Sequence, residues 1–431
     1  MRTKLILFLP LLWILIGCSD SDSATLNISN STFNDISASG ETLKIEITCD
    51  ASWTATSNKQ WCIFNNSKGE GNGELIISVN ANLESTPRST IITIISHKIS
   101  KTIQITQKGS TNTAEEYHYN LPVIFHVLYK DKNEPLQYVN HNRLKDILNT
   151  VNQLYKDATK SVDMNLTFTL ATEDPNNKAL STPGVEYKEW PENYPIDCEA
   201  FMKDNSHKYV DYLWDPNKYI NIMVYNFVSD PNSNSTILGI SHLPFTTSGK
   251  NFLEGLNTTQ YAYMEKKNLQ FPYCVSINSL FINEPSDAGY SKADIRVTLA
   301  HELGHYLGLH HVFSEGESGI IDDCIDSDYC KDTPSYNKVR YDKWLRELPK
   351  GSYPLSVLAQ RESCNAATPS FISYNIMDYA YSFSNSFTPD QRKRIRHVLS
   401  YSPLIPGPKK GDTSTRAVAN GPLDLPILIM K

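Results

Sequence analysis

The sequence lacks several features that would each point to a particular class of protein. Its 431 residues carry no excess of positive charge, since 40 Lys and Arg stand against 47 Asp and Glu, a formal net charge of −7. Nucleic acid is therefore not expected as a partner, because phosphate binding needs clustered positive charge. The chain has no internal repeat and no extended low-complexity tract. Its 40% hydrophobic and 20% charged residues exclude a wholly disordered, collagenous or coiled-coil protein.

Long hydrophobic runs are also scarce, and the clearest one stands at the start of the chain. A short basic head at residues 1–4 precedes an apolar run at residues 5–16, which is too short to span a bilayer and is typical of a secretory signal. The string Leu15-Ile16-Gly17-Cys18 resembles a bacterial lipobox, which implies that Cys18 is lipid-modified. The alternative is an ordinary signal with an incidental cysteine.

We therefore predict a signal peptide at residues 1–17 and a polar tether at residues 18–23. No later segment is long enough to cross a membrane, so the exported protein is expected to be anchored by lipid alone to the outer membrane, at the cell surface.

Residues 24–109 are predicted to form a small all-β sandwich. Apolar and polar residues alternate, as in half-buried strands, at residues 43–47, 75–79 and 103–105. The segment resembles the BACON domain of Bacteroidetes proteins, notably in Trp53 and Trp61 and in the closing stretch 103–109. The resemblance implies either a spacer or a glycan contact, and both tryptophans are expected in the core.

A polar linker at residues 110–116 is expected to lead into a second domain at residues 117–403. Strands are predicted from apolar runs at residues 121–129, 165–170, 219–227 and 274–282, and helices at residues 141–158, from Ser291 with Asp294, and from Thr388 with Pro389 and Gln391. Strands that alternate with helices predict an α/β unit. Residues 404–431 are predicted to form a tail, and their sequence indicates no role for it.

One motif carries chemistry: His301-Glu302-Leu303-Gly304-His305, extended by Gly308 and His311. His301 and His305 lie one turn apart on one helix face, so both imidazoles can reach one zinc ion. Gly308 can adopt the positive φ that ends the helix, which lets His311 supply a third nitrogen. Three protein ligands leave the fourth position for water, as in a catalytic zinc site. Three other histidines are predicted to be structural: His126, His242 and His310.

Glu302 follows the first ligand on the same helix, so it can approach the zinc-bound water without binding the metal. Zinc lowers the pKa of that water towards about 7. We expect Glu302 to accept the proton and to give it later to the leaving amine, while the metal polarises the scissile carbonyl. The predicted activity is zinc-dependent hydrolysis of peptide bonds in extracellular proteins.

The extended pattern resembles that of the metzincin metalloproteases, and Asn375-Ile376-Met377-Asp378-Tyr379 resembles their Met turn. Within the metzincins the chain is most similar to the pappalysin family, on residues 307–313, 332–334 and 387–391. The resemblance implies an α/β (α+β) metzincin-like metalloprotease domain with a twisted mixed sheet and a zinc-binding helix, placed after the small sandwich. It further implies that Met377 lies beneath the zinc ligands and that Tyr379 hydrogen-bonds the oxyanion. The strand at 274–282 is expected to line the cleft and to pair with extended substrate.

The same resemblance implies features outside the zinc site. A disulfide between Cys324 and Cys364 is expected, although the chain lacks one family cysteine after the Met turn. Without Cys18, seven cysteines remain, so at least one thiol is unpaired. An acidic run is expected either to bind calcium, as a second cofactor, or to form a solvated loop. The run has four acidic residues: Asp322, Asp323, Asp326 and Asp328. The family's acidic residues after the Met-turn tyrosine are absent at 380–383, so its preference for basic side chains beyond the cut does not carry over.

Two other functions remain open from the sequence. The protein could be a glycan- or mucin-binding surface lipoprotein in which zinc is structural, or a protease specific for glycoproteins such as mucins, with the sandwich as a docking unit. Residues 24–109 could also be an inhibitory pro-segment in which Cys62 caps the zinc.

Overall fold

The computed structural model describes residues 25–57, 59, 61–111, 116–229, 236–284, 293–316, 319–379, 381–410 and 420–431. The predicted signal peptide, Cys18, the tether, Ser291 and most of the linker lie outside the described residues. Within the described ranges, no helix combines the length and the apolar character that crossing a bilayer requires.

The first part of the chain forms two packed β-sheets. Their strands are β1 (Leu26–Ile28), β2 (Thr32–Ile36), β3 (Glu41–Cys49), β4 (Ser52–Ser57), β5 (Cys62–Phe64), β6 (Lys68–Glu70), β7 (Gly73–Val79), β8 (Arg88–Ser96) and β9 (Ile99–Gln107). One sheet has the strand order β1-β3-β7-β5 and the other β2-β9-β8-β4-β6. The predicted all-β unit is therefore confirmed.

Alternating side chains of these strands meet in a common core. In β3, Leu43, Ile45 and Ile47 are buried while the residues between them are exposed. Trp53 and Trp61 retain only 2% and 6% of their exposure, so both are core residues and neither offers an open ring face to a sugar.

The second part of the chain is built around a mixed sheet, with short two-stranded pairs beside it. Its strands are β10 (Tyr119–Tyr129), β11 (Leu166–Leu170), β12 (Val185–Glu189), β13 (Ile220–Tyr225), β14 (Gly239–His242), β15 (Thr246–Thr247), β16 (Thr258–Thr259), β17 (Val275–Asn278), β18 (Glu315–Gly316), β19 (Gly319–Ile320), β20 (Gln360–Glu362), β21 (Ser370–Ile372) and β22 (Ile429–Met430). The mixed sheet runs β11-β10-β13-β17-β14-β22, with β12 on the other half of β10. Strands β10 to β13 and β17 run parallel to one another, whereas β14 pairs antiparallel with both β17 and β22.

In the described part of the chain, six α-helices accompany the sheets: α1 (His141–Lys156), α2 (Cys198–Lys203), α3 (Ile295–Tyr306), α4 (Lys338–Glu347), α5 (Leu355–Leu358) and α6 (Pro389–Tyr401). The apolar stripe of α1 is buried, as its helical spacing predicts. The hydroxyl of Tyr155 at its end donates to the carbonyl oxygen of Ala300 at 3.0 Å, which ties α1 to α3. The predicted mixed α/β class is confirmed.

Of two predicted helix starts, one lies where it is expected and the other lies later in the chain than Ser291. The capping box of Thr388 and Gln391 is present, and α6 begins at Pro389 as predicted. Helix α3 begins at Ile295, and its N-cap is Asp294, whose side chain accepts from the backbone N–H of Arg296.

The predicted strand at 274–282 is shorter than expected and does not form an edge. Strand β17 lies between β13 and β14 and is paired on both sides. The expectation that it pairs with substrate is therefore wrong, because its backbone groups are already used within the sheet.

The predicted tail at 404–431 is also wrong in part. Leu404 and Ile405 are fully buried in the main core, and β22 adds a strand to the mixed sheet. The prolines between these short apolar stretches interrupt the periodicity, which explains why the sequence pattern did not reveal them.

His242 in β14 gives the fold a pH dependence. Its ring nitrogens lie 3.2 Å from the carbonyl oxygen of Cys274 and 3.0 Å from that of Met202. Burial lowers its pKa from the ordinary 6.5 to about 4. Because the unfolded chain then binds more protons between these two values, folding stability falls as the pH drops from about 6.5 to about 4, by about 3 kcal/mol in total.

We predict that His242→Gln removes this loss, since glutamine can keep a donor near Met202 and does not titrate. Urea unfolding at pH 7 and pH 4, at equal metal loading, should show a drop in unfolding free energy that is about 3 kcal/mol smaller in the variant than in the parent. Equal drops in the two proteins would contradict this role.

Candidate active site

Helix α3 places the first two histidines of the motif in the interior. His301 keeps 7% of its exposure and His305 none, because α3 is packed between the sheet and the later part of the chain. The helix ends at Tyr306, and two residues later Gly308 has a φ of +94°, which is unfavourable for other residues. The chain then turns back so that His311 faces the helix that it has just left.

The three predicted ligands converge in the structure. Their Nε2 atoms are separated by 3.0 Å between His301 and His305, by 3.1 Å between His305 and His311, and by 3.2 Å between His301 and His311. Within the described ranges, these side chains form the one group of three His, Cys, Asp or Glu residues with converging ligand atoms.

Backbone carbonyls fix the tautomers of two of these rings. Nδ1 of His301 donates to the carbonyl oxygen of Ile376 at 2.8 Å, and Nδ1 of His305 donates to that of Leu309 at 2.8 Å. Their Nε2 atoms therefore carry lone pairs that face the common centre. Nδ1 of His311 lies 2.9 Å from a carboxylate oxygen of Glu315, a residue that sequence reasoning missed.

This arrangement fits a tetrahedral metal ion. Nitrogens at two corners of a tetrahedron, each about 2.0–2.1 Å from a zinc ion, lie about 3.3 Å apart, close to the separations found here. Burial lowers the pKa of all three imidazoles, which favours the neutral form that binds metal. The donor set and its spacing therefore match a metal of the zinc type.

Glu302 lies beside the three histidines with one oxygen unused. Its side chain is buried, and Oε2 has no hydrogen-bond partner in the part of the chain that the structure describes. Burial raises the pKa of this carboxyl well above its ordinary value. Gly239, at the start of β14, lies against it: a Cβ at 239 would come within 2.6 Å of Oε1 of Glu302. Gly239 was not predicted, and only the fold reveals its role.

Tyr379 stands at the open side of the same group. Its ring centroid is 4.6 Å from that of His311 and 6.0 Å from that of His301. Its hydroxyl donates a hydrogen bond to the backbone oxygen of Lys431. The predicted partner of an oxyanion therefore contacts a main-chain oxygen in this structure.

Met377 packs directly beneath the helix that carries the ligands. A Cβ at Gly304 would meet Sδ of Met377 at 2.5 Å, so the residue between the two helical histidines must be small. Asn375 holds the turn from the other side: its Oδ1 accepts from the N–H of Met377 at 2.9 Å and from Nε2 of Gln391 at 3.1 Å. The turn is thereby joined to the capping box of α6.

A buried ion pair anchors the other end of the turn, and no sequence pattern indicated it. Asp378 lies 3.1 Å from Arg361, and both side chains are fully buried. Asp378 also accepts from the hydroxyls of Tyr336, at 2.6 Å, and Ser373. Removal of one partner from such a pair costs about 3–5 kcal/mol, so the pair strongly favours one position of the turn.

The remaining predicted residues have separate positions. Cys324 and Cys364 form a disulfide, and the other described cysteines are free and buried: Cys49, Cys62, Cys198, Cys274 and Cys330. Cys62 lies in β5 of the all-β part and is not among the converging ligands, contrary to the pro-segment alternative.

The acidic run and the other histidines are engaged elsewhere. Asp328 is buried and accepts from the hydroxyl of Thr333 and the backbone N–H of Cys330, and the run contributes no converging group of three carboxylates within the described ranges. His310 packs against Tyr329, and burial lowers its pKa to about 3. His126 lies between Glu186 and Asn221, at 2.7 and 2.9 Å.

We predict that Gly304→Ala weakens metal binding. The added methyl group must displace Met377, and overpacking of this kind costs about 1–3 kcal/mol; displacement of a group that supports the ligands lowers metal affinity about 10-fold or more. Competition with a chelator measures the affinity. Gly351→Ala is the matched control, because a Cβ there has only ordinary contacts at 3.7 Å or more. Equal affinities in the two variants would contradict the packing argument.

Comparisons with known proteins address the same regions. Residues 274–400 match the family model described as "Pregnancy-associated plasma protein-A", and residues 51–108 match the BACON model, described as "Putative binding domain, N-terminal". Among curated proteins, two extracellular metalloproteases of Arthroderma benhamiae are 38% identical over 99 residues and 30% identical over 161 residues, which cover 23% and 37% of this chain and 29% and 42% of theirs. An extracellular metalloprotease of Aspergillus oryzae is 37% identical over 102 residues, 23% of this chain and 27% of its own.

These relatives are matched over less than half of their length. A solved xyloglucanase of Bacteroides ovatus is 17% identical, over 49% of this chain and 58% of its own, with a TM-score of 0.20, too low to carry an argument. The sequence matches confirm both predicted resemblances: residues 274–400 resemble the pappalysin-type metalloproteases, and residues 51–108 resemble BACON domains.

Proposed function

We propose that the protein is a zinc-dependent endopeptidase of the metzincin, pappalysin-like type, with Glu302 as its general base. One observation carries the proposal: three imidazole Nε2 atoms converge at 3.0–3.2 Å beside a buried carboxylate oxygen that has no partner in the described chain. The similarity to extracellular metalloproteases supports peptide bonds as the substrate.

His301, His305 and His311 would hold the metal through their Nε2 atoms. When bound, zinc supplies a Lewis acid that acidifies water and polarises a peptide carbonyl. The three neutral rings leave room for this chemistry, because the described residues offer no fourth converging side chain to close the site. This favours a catalytic zinc over the structural zinc of a purely glycan-binding protein.

In this proposal Glu302 moves the proton. Its Oε2 accepts a proton from the attacking water as the water oxygen bonds to the carbonyl carbon, and then delivers that proton to the amine nitrogen as the C–N bond breaks. Gly239 lies against the same carboxylate and leaves it room, because a Cβ at 239 would come within 2.6 Å of Oε1. The carboxylate is ionised when a dication is near, because the positive charge opposes the effect of burial.

In this proposal Tyr379 binds the carbonyl oxygen. Its hydroxyl already donates to a backbone oxygen, that of Lys431, so a substrate carbonyl in the same position would receive the same bond. Burial raises the pKa of this phenol well above its ordinary value, which keeps the hydroxyl protonated as a donor.

Other parts of the proposal rest on the sequence alone. Lipid anchoring through Cys18 at the outer membrane and cell surface rests on the lipobox resemblance, and the names of the extracellular relatives support export. Calcium near residues 322–328 remains a prediction of the family resemblance. A glycan contact of residues 24–109 would have to use side chains other than the buried Trp53 and Trp61.

We predict that Glu302→Gln keeps one zinc per chain and lowers kcat on casein by about 10²–10⁴-fold, because the amide cannot accept the proton. Metal analysis and turnover are measured on the same sample, and Glu347→Gln, at an exposed position of α4, is the control. A chelator should abolish the activity of the parent, and added zinc should restore it. Full activity of Glu302→Gln would contradict the proposed mechanism.

We predict that Gly239→Ala also lowers kcat without loss of zinc. The new methyl group would lie about 2.6 Å from Oε1 of Glu302 and must push the carboxylate aside, while the three Nε2 atoms are not touched. Turnover and zinc content are measured as above, with Gly351→Ala as the control. Unchanged turnover would show that Gly239 does not position Glu302.

A further inference from the structure

The chain itself fills the sheet edge that borders the candidate site. Strand β14 begins at Gly239, which touches Glu302, and runs along the side of the site. Strand β22 lies antiparallel to it, with Met430 opposite Ser241 and Ile429 opposite His242. The backbone N–H of Leu243 extends the pairing, donating to the carbonyl oxygen of Leu428 at 2.9 Å.

The next residue, Lys431, reaches the catalytic groups. By the register of β14 and β22 it lies beside Ile240, one residue from Gly239. Its backbone oxygen accepts from the hydroxyl of Tyr379. Its side-chain Nζ pairs with Oε1 of Glu199 on α2, while Oε2 of Glu199 pairs with Lys203 at 2.8 Å.

This is how an extended peptide binds to a protein that offers a sheet edge. Main-chain hydrogen bonds to the edge strand supply affinity, and neighbouring side chains read alternate residues of the peptide. Ile427 to Met430 are also partly buried against the main core, so the edge has an apolar surface for the residues that precede Lys431.

We propose that residues 428–431 trace the path of the substrate and that Glu199 is a specificity-determining residue, selecting lysine or arginine at the residue whose carbonyl Tyr379 contacts. The inference rests on the proposed function, because it identifies that carbonyl with the one attacked by water. The selected side chain is the one on the N-terminal side of the cut bond.

The strength of the ion pair between Glu199 and Lys431 can be measured. Glu199 and Lys431 keep 34% and 51% of their side-chain exposure, so water screens their attraction. An ion pair of this kind corresponds to a preference of up to about fivefold. Residues 428–431 and a substrate compete for the same edge, and this competition lowers kcat/KM for every peptide by one common factor. The ratio of two peptides therefore reports Glu199 alone.

The test uses two fluorogenic peptides that differ only in lysine or norleucine at the residue before the cut. Norleucine keeps the aliphatic chain and lacks the ammonium group. The full chain should prefer the lysine peptide by about fivefold in kcat/KM, and Glu199→Gln should bring the ratio to about one. Glu192→Gln is the matched control, since it removes an equal charge and an exposed pair, with Lys208 at 2.7 Å, and contacts none of residues 428–431. Lys431→Gln should raise kcat/KM for both peptides and leave their ratio unchanged.

A second readout does not need turnover. Acetylated peptides that end in lysine or norleucine are titrated by calorimetry into zinc-loaded Glu302→Gln, with and without Glu199→Gln. The lysine peptide should bind more tightly by the same factor, and only where Glu199 is present. A ratio of one in the parent, or a ratio that Glu199→Gln leaves unchanged, would overturn the inference while the peptidase proposal stands. If the parent cleaves neither casein nor peptide, the peptidase proposal fails, and the calorimetric ratio still decides the role of Glu199.

Discussion

The Nε2 atoms of three imidazoles lie 3.0–3.2 Å apart in the protein interior, and the rest of the structure depends on this arrangement. Facing lone pairs repel one another, and burial lowers the pKa of each ring, so protons do not relieve the repulsion near neutral pH. A shared cation does relieve it. The surrounding chain therefore has to hold the rings in place at a cost that metal binding offsets.

The support for these rings comes from the second half of the chain. The carbonyl oxygen of Ile376 orients His301, Met377 fills the space beneath Gly304, and the buried pair of Asp378 with Arg361 fixes the turn that contains both residues. On the opposite side, Gly239, the first residue of β14, lies against the carboxylate of Glu302. The three converging histidines, Glu302 and the sheet edge at β14 are thus positioned by elements that contact one another directly.

Much of this could be predicted from the sequence, because its strongest signals are local. The spacing of His301, His305 and His311 places the rings by helix geometry, and the capping box at Thr388 marks the start of α6. What the sequence could not show depends on contacts between distant segments. Arg361 and Glu315 carry no pattern of their own. Strand β22 is only two residues long and follows Pro426 closely, and the strand expected to pair with substrate, β17, proved to be interior.

The claim that zinc is held by three imidazoles is tested most directly by X-ray absorption at the zinc edge on the zinc-loaded chain. The account predicts three imidazole nitrogens and one further oxygen at about 2.0–2.1 Å, with no sulfur. The His311→Ala variant should show one imidazole fewer. A sulfur shell near about 2.3 Å, or a parent spectrum with fewer than three imidazoles, would contradict the account.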